Sequence, residues 1–121
     1  MNSAADICLP RTASAWGGPD FEAVLKAELA AVGAVTLPLQ GGLRRGSVVV
    51  EAPVEVMPIS AAERDGFLRL RVGIFYAGIL AGCGCADDPT PVEAEPEFCE
   101  LVVELDPASG NGRVWRAEDE A

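Results

Sequence analysis

The chain has 121 residues, of which 50% are hydrophobic and 23% charged, and this composition predicts one folded domain around one hydrophobic core. Its formal net charge is −10, from 19 acidic and 9 basic side chains, which argues against nucleic-acid binding because phosphate backbones would be repelled. Histidine is absent, so Ser-His-Asp catalysis, Cys-His catalysis and histidine-based metal sites are excluded. The composition therefore disfavours an enzyme.

The N-terminal segment indicates the compartment. Residues 1–17 include Pro10 and Arg11 and lack the apolar core of a secretory signal, so we expect a cytoplasmic protein with reduced cysteines. The apolar run at residues 72–82 is too short for a membrane-spanning helix, which needs about 20 residues. No membrane segment is expected.

The predicted elements begin with a loosely held arm at residues 1–17 and a helix at residues 19–32. Pro19 suits the first helical position, and Gly33 is a plausible stop. Apolar residues recur along the helix at spacings of three and four, which places them on one face: Phe21, Val24, Leu25, Leu29 and Val32.

The rest of the chain alternates between apolar and polar residues, a pattern typical of half-buried strands. This alternation predicts four strands, at residues 47–59, 67–79, 98–105 and 113–116. A polar turn is expected at residues 60–66, and residues 106–112 are rich in Pro, Gly and Asn, which indicates a second turn.

Together these elements predict a single α+β domain at residues 18–117, preceded by the arm and followed by an acidic tail at residues 118–121. The expected architecture is a four-stranded antiparallel sheet with one N-terminal helix packed on its apolar face. A Cys-rich acidic loop at residues 80–97 joins the second and third predicted strands.

This loop carries the main functional hypothesis. Cys83 and Cys85 are one residue apart and are followed by Asp87 and Asp88, while Cys99 begins the next strand. If the flanking strands are antiparallel neighbours, the three thiols converge at one edge of the sheet. Zinc takes about four ligands and favours thiolates at structural sites. The pattern predicts a zinc site formed by Cys83, Cys85 and Cys99, with Asp87 or Asp88 assisting.

Two alternatives remain open at this stage. Two neighbouring thiols also suit a redox or sulfur-handling role, although the following carboxylates oppose thiolate formation. The cysteines could serve only as small packing residues, as Cys99 on an inward strand position would. In that case the chain would be a protein–protein interaction module that docks an unknown partner through the acidic loop or a strand edge.

One stretch of the sequence resembles a known group of proteins. Residues 73–78 (GIFYAG) and 81–91 (AGCGCADDPTP) are similar to a family of small uncharacterised bacterial proteins, mostly proteobacterial, that share a G-C-x-C-A-D-D-P-T-P segment. Members tend to carry a cysteine near the position of Cys99 and a helix near the N-terminus. The resemblance implies a bacterial, cytoplasmic setting and no particular activity.

Overall fold

The fold was taken from a computed structural model, which describes residues 4–34, 36–43, 48–50, 52, 54–79 and 94–119. Within these ranges the chain forms two α-helices, α1 (Pro10–Ala15) and α2 (Phe21–Val32). It also forms six strands: β1 (Ala5–Cys8), β2 (Val48–Val49), β3 (Glu55–Arg64), β4 (Phe67–Ile79), β5 (Glu95–Leu105) and β6 (Asn111–Arg116). Short 3₁₀ turns lie at Gln40–Gly42 and Ala117–Asp119.

All strand pairs in the described ranges are antiparallel, and the strands make one sheet that curls into a half-barrel. The order across the sheet is β1-β6-β5-β4-β2, and β3 pairs with β4 on the same edge as β2. Strand β4 is the centre of the fold. It pairs with β5 from Leu68 opposite Leu105 to Gly78 opposite Glu95.

The predicted four-stranded sheet with one helix is therefore wrong. The strand expected at residues 47–59 is divided into β2 and β3, with Pro58 next to a register shift in β3. Residues 5–15, which the sequence assigned to an arm, form β1 and α1, and β1 pairs with β6. Elements of four and six residues carry a weak hydrophobic period, and unlike the short strand expected at residues 113–116 they follow no turn signal.

The turn between β3 and β4 is also shorter than expected. It consists of Asp65 and Gly66, with φ values of 53° and 83°. Two central residues with positive φ form the tight turn that matches the twist of paired strands, and Asp-Gly is a favoured sequence for it. Strand β3 consequently continues to Arg64, through residues that had been assigned to a polar turn.

The concave face of the sheet holds the hydrophobic core, and α2 contributes to it. The predicted apolar face of this helix is confirmed for three of its residues. Phe21, Leu25 and Leu29 are buried in the same cluster as the inward side chains of the strands. The fully buried strand residues include Leu68, Leu70, Val72, Ile74, Leu101, Val103 and Leu105. No helix in the described part of the chain combines the length and the apolar character that crossing a membrane requires.

Candidate functional site

Most of the predicted zinc site lies beyond the residues that the structure describes. Cys83, Cys85, Asp87 and Asp88 all fall in the gap between residues 79 and 94. Within the described ranges, no group of three or more Cys, Asp or Glu side chains is arranged to hold a metal ion. The metal hypothesis stays a prediction.

Cys99 is the one predicted ligand that can be placed. It lies on the inner face of β5 opposite Ile74, and it is 7% exposed within the hydrophobic core cluster. Its thiol donates to the carbonyl oxygen of Glu100 over 3.7 Å. The 3₁₀ turn packs closely over it, since a Cβ atom on Gly42 would lie 2.9 Å from the Cys99 Sγ. This environment supports the interpretation of Cys99 as a packing residue.

The convex face of the sheet carries a different feature, an exposed cluster of three large apolar side chains. Phe75 on β4 and Phe98 on β5 are directly opposite in register, with ring centroids 4.8 Å apart and an interplanar angle of 49°. Met57 lies on β3 beside them. Their exposed fractions are 44%, 38% and 43%, respectively. We call these three residues the aromatic patch.

Gly73 positions one ring of the aromatic patch. A Cβ atom at this glycine would lie 2.7 Å from Cε2 of Phe98 and 3.2 Å from Cε of Met57. Because glycine has no side chain, the Phe98 ring lies directly over the backbone of β4, and the ring covers a glycine that would otherwise weaken the strand. The arrangement holds Phe98 in place on an exposed surface.

Charged and aromatic side chains also lie on the convex face. Arg71 contacts Glu100 at 2.9 Å and Arg69 contacts Glu104 at 3.8 Å, which are cross-strand pairs between β4 and β5. The Arg69 guanidinium also lies 5.9 Å from the ring centroid of Trp115. The aromatic patch is therefore an apolar area next to a polar one, on the same sheet face.

Two cavities border the aromatic patch, and both are lined by carboxylates. One of about 570 Å³ follows β5 and is lined by Phe98, Glu97, Glu100 and Glu118 among others. The other, of about 290 Å³, includes Phe75, Glu97 and Glu55. Glu55 is directly opposite Phe75 in register. The site thus combines an exposed apolar centre with neighbouring carboxylates, of which Glu97 is buried and Glu100 and Glu118 contact Arg71 and Arg116.

The sequence interpretation missed the aromatic patch, although a signal for it was available. In β4 the inward positions are Leu68, Leu70, Val72, Ile74 and Tyr76, and the opposite positions begin with charged Arg69 and Arg71. Phe75 follows in that outward set, as Phe98 does in β5. Large aromatic residues at neighbouring solvent-facing strand positions form an exposed apolar patch, and such patches are a feature of binding surfaces.

Comparison of the chain with protein-family models, with curated proteins and with solved structures gave no match. The function must therefore be inferred from the geometry of the fold and of the site. Together they define a mainly β domain whose most distinctive surface is the aromatic patch.

Proposed function

We propose that this chain is a protein–protein interaction module that recognises its partner through the aromatic patch. The observation that supports the proposal is the exposure of Phe75, Phe98 and Met57 side by side on one sheet face. Aromatic residues and methionine are enriched at the centres of protein interfaces, and a polar border is typical around them. The cytoplasm remains our proposed compartment, and the free thiols of Cys8 and Cys99 are consistent with its reducing environment.

The side chains of the aromatic patch are held in fixed positions, which favours a role in binding. Phe98 is held over Gly73, and the two rings contact each other, so little side-chain freedom is left to lose when a partner binds. Ordering a side chain at an interface costs about 0.5–1.5 kcal/mol, and this cost falls when the side chain is already fixed. A preorganised apolar surface is the arrangement that a recognition site requires.

The experiment compares two serine variants of equally exposed phenylalanines on β4. Phe67 is 46% exposed, like Phe75, but lies at the far end of the strand beside the Asp65-Gly66 turn. Immobilised wild type, Phe75→Ser and Phe67→Ser would be exposed to an extract of the source cells, and retained proteins would be quantified by mass spectrometry. We expect Phe75→Ser to lower retention of the partner about tenfold or more, as loss of a central interface aromatic does.

In the same experiment Phe67→Ser is the matched control, because it removes the same side chain from the same strand. It should retain the partner at the wild-type level. If both variants retain the same proteins as the wild type, or if both lose them equally, the aromatic patch is not the recognition surface.

The predicted zinc site can be tested in parallel. Replacing Cys83 and Cys85 with serine should leave partner retention unchanged, because the proposed recognition surface does not use these thiols. If the metal hypothesis is correct, the wild type should carry about one zinc per chain and the double variant none. Elemental analysis of protein purified without a metal-binding tag decides this, and equal metal content in both proteins would contradict the assignment of the ligands.

A further inference from the structure

Strand β5 extends well beyond its pairing with β6. On one side it pairs with β4 over its whole length, from Glu95 to Leu105. On the other side β6 pairs only with the stretch from Leu101 to Leu105, after which the chain turns into the 3₁₀ turn at Ala117–Asp119. Residues 96–100 therefore lie beyond the end of β6, at an edge of the sheet.

The direction of the backbone groups at this edge follows from two hydrogen bonds. Asp106 N–H donates to the Asn111 carbonyl at 2.8 Å, so even-numbered positions of β5 direct their backbone groups toward β6. Val50 N–H donates to the Ala77 carbonyl at 2.9 Å, so odd-numbered positions of β4 point away from β5. The position of Pro96 is consistent with both assignments. Pro96 is opposite Ala77, at a position whose backbone points away from β4, and proline is tolerated where the ladder needs no N–H.

Phe98 and Glu100 therefore direct their backbone N–H groups away from β4. Among the described residues, neither N–H donates a hydrogen bond across this edge. The groups face the cavity of about 570 Å³, which runs beside residues 96–100 and reaches Gly42 and Glu118 on its far side. An accessible strand edge beside a cavity is the geometry that accepts an additional strand.

The aromatic patch alone is too small to form a stable interface. Three side chains of this size that are about two-fifths exposed offer on the order of 200 Å², whereas a standard interface buries about 800 Å² on each partner. Backbone pairing along the adjacent edge supplies further contact, because Phe98 belongs to both features. Its ring lies in the patch, and its N–H faces the cavity.

We infer that the partner supplies an extended, basic segment that adds to the sheet as a strand along residues 96–100 of β5. This inference rests on the proposed recognition by the aromatic patch. The charge of the segment follows from the net charge of −10 and from the carboxylates of Glu100 and Glu118 beside the edge, which also contact Arg71 and Arg116. A second copy of the chain would bring like charges together at the same edge, which disfavours self-association there.

The test uses short peptides of defined composition and backbone amide signals from nuclear magnetic resonance. The probe is an acetylated, amidated peptide of about seven residues that alternates lysine with valine and phenylalanine, long enough to span residues 96–100 at about 3.3 Å per residue. One comparison peptide replaces lysine with glutamate. A second carries methyl groups on alternate backbone nitrogens, in both possible registers, which removes strand pairing and leaves the side chains intact.

We expect the lysine peptide to shift the amide protons of Phe98 and Glu100 downfield, as new hydrogen bonds do. The methylated peptides should bind about tenfold more weakly or not at all, since the loss of one net hydrogen bond already accounts for much of that factor. The glutamate peptide should bind at least as weakly, because its charge has the same sign as the net charge of the chain. Equal binding of the methylated and unmethylated peptides would overturn strand addition. Equal binding of the lysine and glutamate peptides would overturn the basic character of the segment.

Two variants of Glu100 test whether the backbone N–H of this residue pairs with the peptide. Glu100→Pro removes the outward N–H without touching the pairing with β4, and Glu100→Ala keeps the N–H but removes the carboxylate that contacts Arg71. Glu100→Pro should weaken the lysine peptide about tenfold, and Glu100→Ala about threefold or less. Equal effects of the two variants would contradict pairing through this N–H.

The outcomes for the patch and for the edge are distinguishable. If Phe75→Ser weakens the peptide while methylation and Glu100→Pro do not, recognition by the aromatic patch stands and strand addition is wrong. If methylation and Glu100→Pro weaken it while Phe75→Ser does not, the edge binds without the patch and the proposed function is wrong. If no peptide shifts any amide of β4 or β5, both are wrong.

Discussion

Gly110→Ala is expected to lower the free energy of unfolding by about 2–5 kcal/mol, combining a backbone cost of about 1–2 kcal/mol with an overpacking cost of about 1–3 kcal/mol. Gly110 has a φ of 80°, in the left-handed region that side chains disfavour. A Cβ atom there would lie 2.4 Å from the Pro10 Cα and 2.6 Å from the Pro10 nitrogen. These are backbone atoms of the segment that enters α1, so they cannot move aside as a flexible side chain would.

The glycine also joins two parts of the fold, because its carbonyl accepts a hydrogen bond from Leu9 N–H at 2.8 Å. Gly66→Ala is the matched control. Gly66 has nearly the same φ, 83°, but no atom lies within 4 Å of a Cβ at that position. Its replacement should cost only the backbone part, about 1–2 kcal/mol. Denaturant unfolding measures both variants, and equal losses would show that Pro10 does not pack against Gly110 as described.

Leu101→Ala is expected to destabilise the fold by roughly 2–5 kcal/mol, the range that follows when a fully buried leucine is truncated and a cavity remains. Leu101 is completely inaccessible to solvent. It lies on the inner face of β5, opposite Val72 of β4 and next to the end of β6 at Arg116. Neighbouring strands on both sides leave little room for the surrounding structure to collapse into the space.

Met57→Ala provides the comparison for this variant, since Met57 is about as large but belongs to the exposed aromatic patch. Its truncation should cost less than about 1 kcal/mol, as surface substitutions usually do. The contrast bears on function as well as stability. If Met57→Ala proved as destabilising as Leu101→Ala, the patch would be part of the folding core and its exposure would not indicate a recognition surface.

The sequence predicted the elements with a long, regular hydrophobic period. The helix expected at residues 19–32 forms as α2 but begins at Phe21, so Pro19 lies before it. The strand expected at residues 67–79 forms as β4, and the one expected at residues 98–105 forms as β5, which begins at Glu95 within the predicted loop. The period failed where elements are short, as in β1 and α1. It also failed at residues 60–66, where Asp65-Gly66 marks the turn more closely than polarity does.

The candidate site was harder to predict because its parts come from three strands. Met57, Phe75 and Phe98 are distant in sequence, and only the register of β3, β4 and β5 brings them together. The open edge beside Phe98 depends on where β6 ends relative to β5, and strand ends are the least regular part of a sheet. The cysteine motif was conspicuous in the sequence, but in the described part of the chain its one placed member, Cys99, packs in the core.

A single structural cause accounts for both proposed surfaces. Among the described residues, the β4–β5 pair extends past β6, so that one end of this pair is covered on its concave side by the core and has no strand paired with its β5 edge. Phe75 and Phe98 are in that extension, as is the acid-lined cavity. Recognition of a partner is then a property of the end of the sheet rather than of one motif.

The most direct test of this account is site-specific photo-crosslinking in the source cells. A photoreactive phenylalanine analogue would replace Phe75 in one version of the chain and Phe67 in another, because the two positions are on the same strand and are similarly exposed. The account predicts that the analogue at Phe75 captures one discrete protein partner, that excess wild-type chain competes for it, and that the analogue at Phe67 does not capture it. Equal capture at both positions, or no adduct at Phe75, would contradict a recognition surface at the aromatic patch.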